Sequence, residues 1–143
     1  MSNYKIPEPV LTLFGGDEEK ADLWLKFRIE DLDAHAIAQG VRVHEIGLEL
    51  DKLYKEVHEI TERDGDEADV ERQWRVIESW KEEQQEIRNA RLKTLESLAG
   101  TKKIRTGIHH FMADTAKESD EKVIIALEEL AEQERWEEEN QNA

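Results

Sequence analysis

From Leu25 to Ile60 apolar residues recur at spacings that alternate between four and three: Leu25, Ile29, Leu32, Ala36, Val43, Ile46, Leu50, Leu53, Val57 and Ile60. Gln39 takes the same register and is its only polar member. A stripe of this period predicts a helix packed along its length on another helix. A second apolar set, Leu23, Trp24, Phe27, Ala34, Ile37, Ala38, Val41 and Leu48, falls on the opposite side of the same helix. A helix that is apolar on two sides is expected to lie between neighbours. Beyond Leu48 that back face turns charged, so the second half is expected to be covered on one side only.

Gly40 and Gly47 share one flank of the predicted helix. The register does not slip across Gly40, which favours a single helix over residues 17–63, about 70 Å long if straight. A break at Gly40 is the alternative. With Ala36 beside them, the two glycines would leave a shallow groove for another backbone. The stretch RDGDEAD, 63–69, reads as a turn with Asp64-Gly65 at its tip. A second helix is expected over 66–99, ending at Gly100. Its stripe is Val70, Trp74, Ile77, Trp80, Gln84, Ile87, Arg91, Leu95 and Leu98. Folded back antiparallel, it would bring Arg91 close to Gln39 as a polar layer. A third, weaker helix is expected over 101–117 through Ile104, Ile108, Phe111 and Thr115. A fourth, over 119–140, would be capped by Ser119 and carry the stripe Val123, Leu127 and Leu130. These last helices, or a partner, would cover the back face.

Residues 1–16 break the pattern. KIPEPVLTLF carries both prolines of the chain and leads into Gly15-Gly16, which predicts an extended arm. Its residues Tyr4, Ile6, Val10, Leu11, Leu13 and Phe14 are the expected docking contacts of such an arm. The fold class is therefore all-α: a long, coiled-coil-like antiparallel hairpin, two further helices completing a bundle, and an N-terminal arm.

Composition narrows the function. The 143 residues carry a net charge of −15, which works against binding nucleic acid or an anionic membrane. There is no cysteine, no apolar run of membrane-spanning length and no basic-then-apolar leader pattern. A soluble protein of the cytoplasm, or of a viral particle, is expected.

The repeat Val43-His44-Glu45-Ile46 and Val57-His58-Glu59-Ile60 suggests a metal site, but its histidines point away from the stripe. They stand about 21 Å apart along the helix. It reads first as a packing repeat two heptads long. Asp31 with His35, and His58 with Glu62, are isolated i,i+4 pairs; no Glu-x-x-His occurs. No catalytic set, metal or cofactor is expected. EEQQE, 82–86, resembles the Glu-Glu-x-x-Glu of the all-α NTP pyrophosphatases, and that resemblance would imply magnesium and nucleotide hydrolysis. It covers five residues, and the companion Glu-x-x-Asp appears before it, as Glu19 to Asp22 and Glu30 to Asp33, rather than after. In so acidic a chain a solvated face is the preferred reading of these five residues.

Lys102, Lys103 and Arg105 form the one basic cluster and are expected to pair with the acidic fourth helix, whose span Glu128 to Glu139 has seven glutamates and one arginine. On that helix Trp136 and Ile125 fall off the core stripe, so Trp136 either folds back on the protein's own surface, the commoner case, or serves with Ile125 as an anchor for a protein partner. Taken together the features predict a non-catalytic assembly or adaptor protein, a homo-oligomer or a subunit of a larger complex. An acidic inhibitor that mimics nucleic acid, and an all-α magnesium-dependent hydrolase, are the alternatives.

Overall fold

A computed structural model describes residues 4–63 and 65–141; Asp64, at the expected tip, lies outside them. Among the described residues there are four helices and no strand: α1 (Glu8–Leu13), α2 (Glu18–Glu62), α3 (Glu67–Thr106) and α4 (Met112–Gln141). The long helix α2 packs with α3 and α4 in a bundle.

Each helix boundary has a local cause. Asp17 accepts a hydrogen bond from the Lys20 amide through Oδ1 at 3.2 Å and so caps α2. Asp66 caps α3 in the same manner, from the Ala68 amide at 3.2 Å. The helix α2 runs through Gly40 without a break, because the buried stripe on either side holds one register. The arm contains a helix where an extended segment was expected. Pro7 sits at the N-cap and Pro9 in the first turn, positions where no amide hydrogen is needed. Gly15 and Gly16, at φ +64° and +80°, then end α1, with the Gly16 amide donating to the Leu11 carbonyl at 2.9 Å.

The largest departure from the expected helices is at residues 99–119. The helix α3 does not stop at Gly100 but continues to Thr106. Gly107, at φ +72°, is the residue that ends it, donating its amide to the Lys103 carbonyl at 2.7 Å. No separate third helix exists over 101–117. Ile104 belongs to α3, Ile108 and Phe111 lie in the loop, and Thr115 belongs to α4. Ser119 is an interior residue of α4 and almost fully buried, not a cap. Its neighbours on that face, Thr115 and Ala116, are equally small, which suits a close approach to α2 and α3.

The chain divides into two units. The first comprises residues up to Ala38 and from Leu92 onward. One core there joins Leu32 and Ala36 of α2 to Leu95 and Leu98 of α3, with Ile29 and Ala116 packed against it. A second core joins Ile6 of the arm to Ala21 and Leu25, with Val10, Leu11 and Phe14 around them. The second unit, Gln39–Arg91, pairs α2 with α3 antiparallel. Ile46, Leu50, Leu53, Val57 and Ile77 are buried together, with Val70, Trp80 and Ile87 at the margin. Gln84 Nε2 donates to the Val43 carbonyl at 3.0 Å beside Gly47. The groove expected at that glycine is thus filled by a side chain of α3. Gln39 Oε1 is buried without a hydrogen-bond partner, so the expected polar layer is not closed by a bond to that oxygen. Of the predicted seam, Ile29, Val43 and Ile60 are half-buried and the rest are buried.

Candidate interaction surface

The arm spends most of its apolar residues inside the chain. Ile6 is buried in the core with Ala21 and Leu25. The Tyr4 hydroxyl donates to the Ile104 carbonyl at the end of α3. Its ring lies against Gly107, where a Cβ would collide with it. Phe14 meets Trp24 with ring centroids 5.7 Å apart. Leu13 alone of the arm's large apolar residues stays mostly outside, at 80% exposure.

The back face of α2 remains uncovered. In the first unit Leu23, Trp24 and Phe27 are each about half exposed, and Ala34 and Ala38 beside them are also exposed. In the second unit Leu48 is exposed on the corresponding face. The reason lies in the position of α4. It approaches the flank of α2 that carries Asp33, which Lys122 contacts at 2.6 Å, while Ala116 reaches the Leu32 and Ala36 core. It does not reach the face of Leu23 and Phe27.

Only the first part of α4 is packed. Thr115, Ser119 and Val123 are buried; every residue from Glu128 to Gln141 is exposed. Trp136 is 64% exposed and Ile125 is half exposed, so both stand off the core as their spacing predicted. Leu130, placed on the expected stripe, is also exposed because that stripe has nothing to meet beyond Leu127. The last turn of α4 contains no basic residue, so Glu137, Glu138 and Glu139 stand at the negative end of the helix dipole without compensation.

The basic cluster divides its partners. Lys102 Nζ contacts Glu118 of α4 at 3.0 Å, upstream of the glutamate-rich run, and the bonded ammonium holds the Glu118 carboxyl below the usual range. Arg105 turns to α2, with Nε 2.9 Å from Asp22 Oδ1 and a second bond from its terminal nitrogen to Oδ2. That bond raises the pKa of the guanidinium further above its ordinary value.

The carboxylates of the pyrophosphatase-like pattern are dispersed. Asp22 is held by Arg105 and Asp33 by Lys122. In the other unit Glu83 faces Arg42 at 3.5 Å, and that guanidinium also lies over the Trp80 ring. Among the described residues no group of three or more His, Asp or Glu is arranged to hold a metal ion. His58 pairs with Glu62 at 3.1 Å on an exposed surface, and His44 is exposed.

One surface escaped the sequence reading. An open groove of about 500 Å³ lies between α2 and α3 in the first unit. Arg28, Asp31, Leu32 and His35 form one wall; Lys93, Thr94 and Ser97 form the other. Trp24, Arg28, Asp31 and His35 follow a helical repeat of four, three and four. That repeat puts Arg28 on one side of α2 with Asp31 and His35, but nothing in it points to Lys93 on the facing helix.

No protein-family model matches the chain, and no curated protein or solved structure is significantly similar to it. No helix among the described residues is long and apolar enough to cross a membrane.

Proposed function

We propose that the protein is a non-catalytic assembly or adaptor component that works by helix packing, as a homo-oligomer or as a subunit of a larger complex. The observation that carries this reading is the apolar surface left exposed on α2 and α4. Leu23, Trp24 and Phe27 on α2, with Ile124, Ile125 and Trp136 on α4, are all about half exposed or more. Large apolar side chains grouped in this way mark surfaces that a partner covers. The arm contributes less than its sequence suggested, because Ile6, Val10, Leu11 and Phe14 already have intramolecular neighbours.

Sedimentation of the purified chain, and mass determination of complexes drawn from its native host, test the reading. The expected result is a mass above that of the monomer in at least one of the two. Phe27→Ser should reduce it without loss of helicity. A chain that stays monomeric at high concentration and forms no host complex overturns the proposal. The uniformly exposed, acidic run Glu128 to Glu139 favours a second reading, an acidic mimic that blocks a basic cleft. In that case partner binding would fall steeply with added salt.

A further inference from the structure

The groove of the first unit is cationic in a chain of net charge −15. Arg28 and Lys93 face it from opposite walls, and neither forms an ion pair among the described residues. Thr94 forms part of its floor and is buried. Elsewhere in the same unit Lys102, Arg105 and Lys122 each hold a carboxylate. The same unit carries the complementary element, the exposed acidic end of α4.

We propose that the groove receives the acidic end of α4 from a second copy of the chain, so that two copies exchange their α4 ends. This rests on the assembly reading and specifies the contact. Register supports it. On α2, Arg28, Asp31 and His35 are separated by three and four residues; on α4, read in the opposite direction, so are Glu139, Trp136 and Glu132. Laid antiparallel, the α4 end sets Glu139 beside Arg28 and Glu132 beside His35, each pair about 10.5 Å from the other. Trp136 falls opposite Asp31, whose carboxylate can accept the indole N–H. Asp31, the one acid on the groove walls, thus meets a donor and not a glutamate. Lys93 serves the same glutamates from the other wall.

The chain's own α4 cannot supply this contact. It packs on the Asp33 flank of α2, and Asp31 lies about 160° around the helix from Asp33 at 100° per residue. A cationic seat would also relieve the uncompensated negative end of α4.

The test is sedimentation equilibrium at low and high salt on four chains: wild type, Arg28→Glu with Lys93→Glu, Glu132→Lys with Glu139→Lys, and all four substitutions together. All four positions are exposed, and unchanged helicity by circular dichroism confirms folding. Wild type should dimerise more weakly as salt rises. Each double variant should weaken association roughly tenfold or more, and the fourfold variant should restore it. If wild type associates and the reversals change nothing, the apolar face makes the contact; the exchange is then wrong and the assembly reading stands. A wild type monomeric at every concentration overturns the exchange, and the mass of the host complex then judges the assembly reading separately. If inorganic phosphate binds a monomeric wild type and loses binding on Arg28→Glu, the groove is a small-anion site and the exchange is overturned as well.

Discussion

Two glycines seven residues apart should respond to alanine in opposite directions. Gly100 lies inside α3, is exposed, and a Cβ there would meet nothing within 4 Å. Alanine removes the propensity penalty of glycine, so Gly100→Ala should stabilise by about 0.5–1 kcal/mol. Gly107 has φ +72°, and its absent Cβ position is filled by the Tyr4 ring. Left-handed alanine costs about 1–2 kcal/mol. Displacing Tyr4 also removes its hydrogen bond to the Ile104 carbonyl, about 1 kcal/mol more. Gly107→Ala should therefore destabilise by roughly 2–3 kcal/mol. Urea unfolding followed by circular dichroism reads both, with tyrosine and tryptophan fluorescence as a second probe, since two units need not unfold together. Tyr4→Phe gives a control in which the hydrogen bond goes and the ring stays. If Gly100→Ala is the destabilising change and Gly107→Ala is silent, α3 ends at Gly100 and the junction described here is wrong.

Ile77, fully buried among Ile46, Leu50 and Leu53, should cost about 2–5 kcal/mol on change to alanine, read by chemical denaturation. Gln39→Leu should stabilise by about 1 kcal/mol or more, because it removes a buried oxygen with no partner; a lower urea midpoint would show that the oxygen is satisfied after all. The Glu118 carboxyl has its pKa lowered by the bonded Lys102. Its contribution is therefore complete above the ordinary glutamate pKa and is lost as pH falls through the lowered folded-state value. Lys102→Gln should make the acid limb of stability slightly shallower, a small effect because Glu118 is largely exposed. Trp136→Ala should leave the melting temperature nearly unchanged and weaken partner binding by about 2 kcal/mol or more, measured by calorimetry on the purified complex.

The seam of α2 was legible because burial there is decided by one repeating choice. From Leu32 to Val57 the buried positions pack against α3, with Gln39 the one polar exception in the register. Junctions are decided by single residues acting on the backbone; the expected stop was Gly100, and the observed one is Gly107, seven residues on. Gly100 and Gly107 look alike as letters. What separates them is that the Arg105–Asp22 pair and the Tyr4 bond to the Ile104 carbonyl hold α3 in place past the first. Ser119 misled for a related reason. A small hydroxyl residue suits a cap and also suits a tight helix contact, and only the partner helix distinguishes them. The groove was hidden because Arg28 and Lys93 are far apart in sequence, and nothing local announces that they share a space.

The second unit is nested within the first: its residues, Gln39–Arg91, interrupt a unit built from the segments on either side. Every core of the first unit that joins Leu32 to Leu95 must therefore close a long intervening loop, whose entropic cost grows with its free length. Zipping Ile46, Leu50 and Val57 onto Ile77 removes most of that free length in advance, through contacts that are nearer in sequence. The inner hairpin thus acts on the rate at which the outer unit closes, although it supplies none of the outer core. Ile77→Ala should accordingly slow refolding detected at Trp24, whose ring meets Phe14 in the first unit, a unit to which Ile77 does not belong.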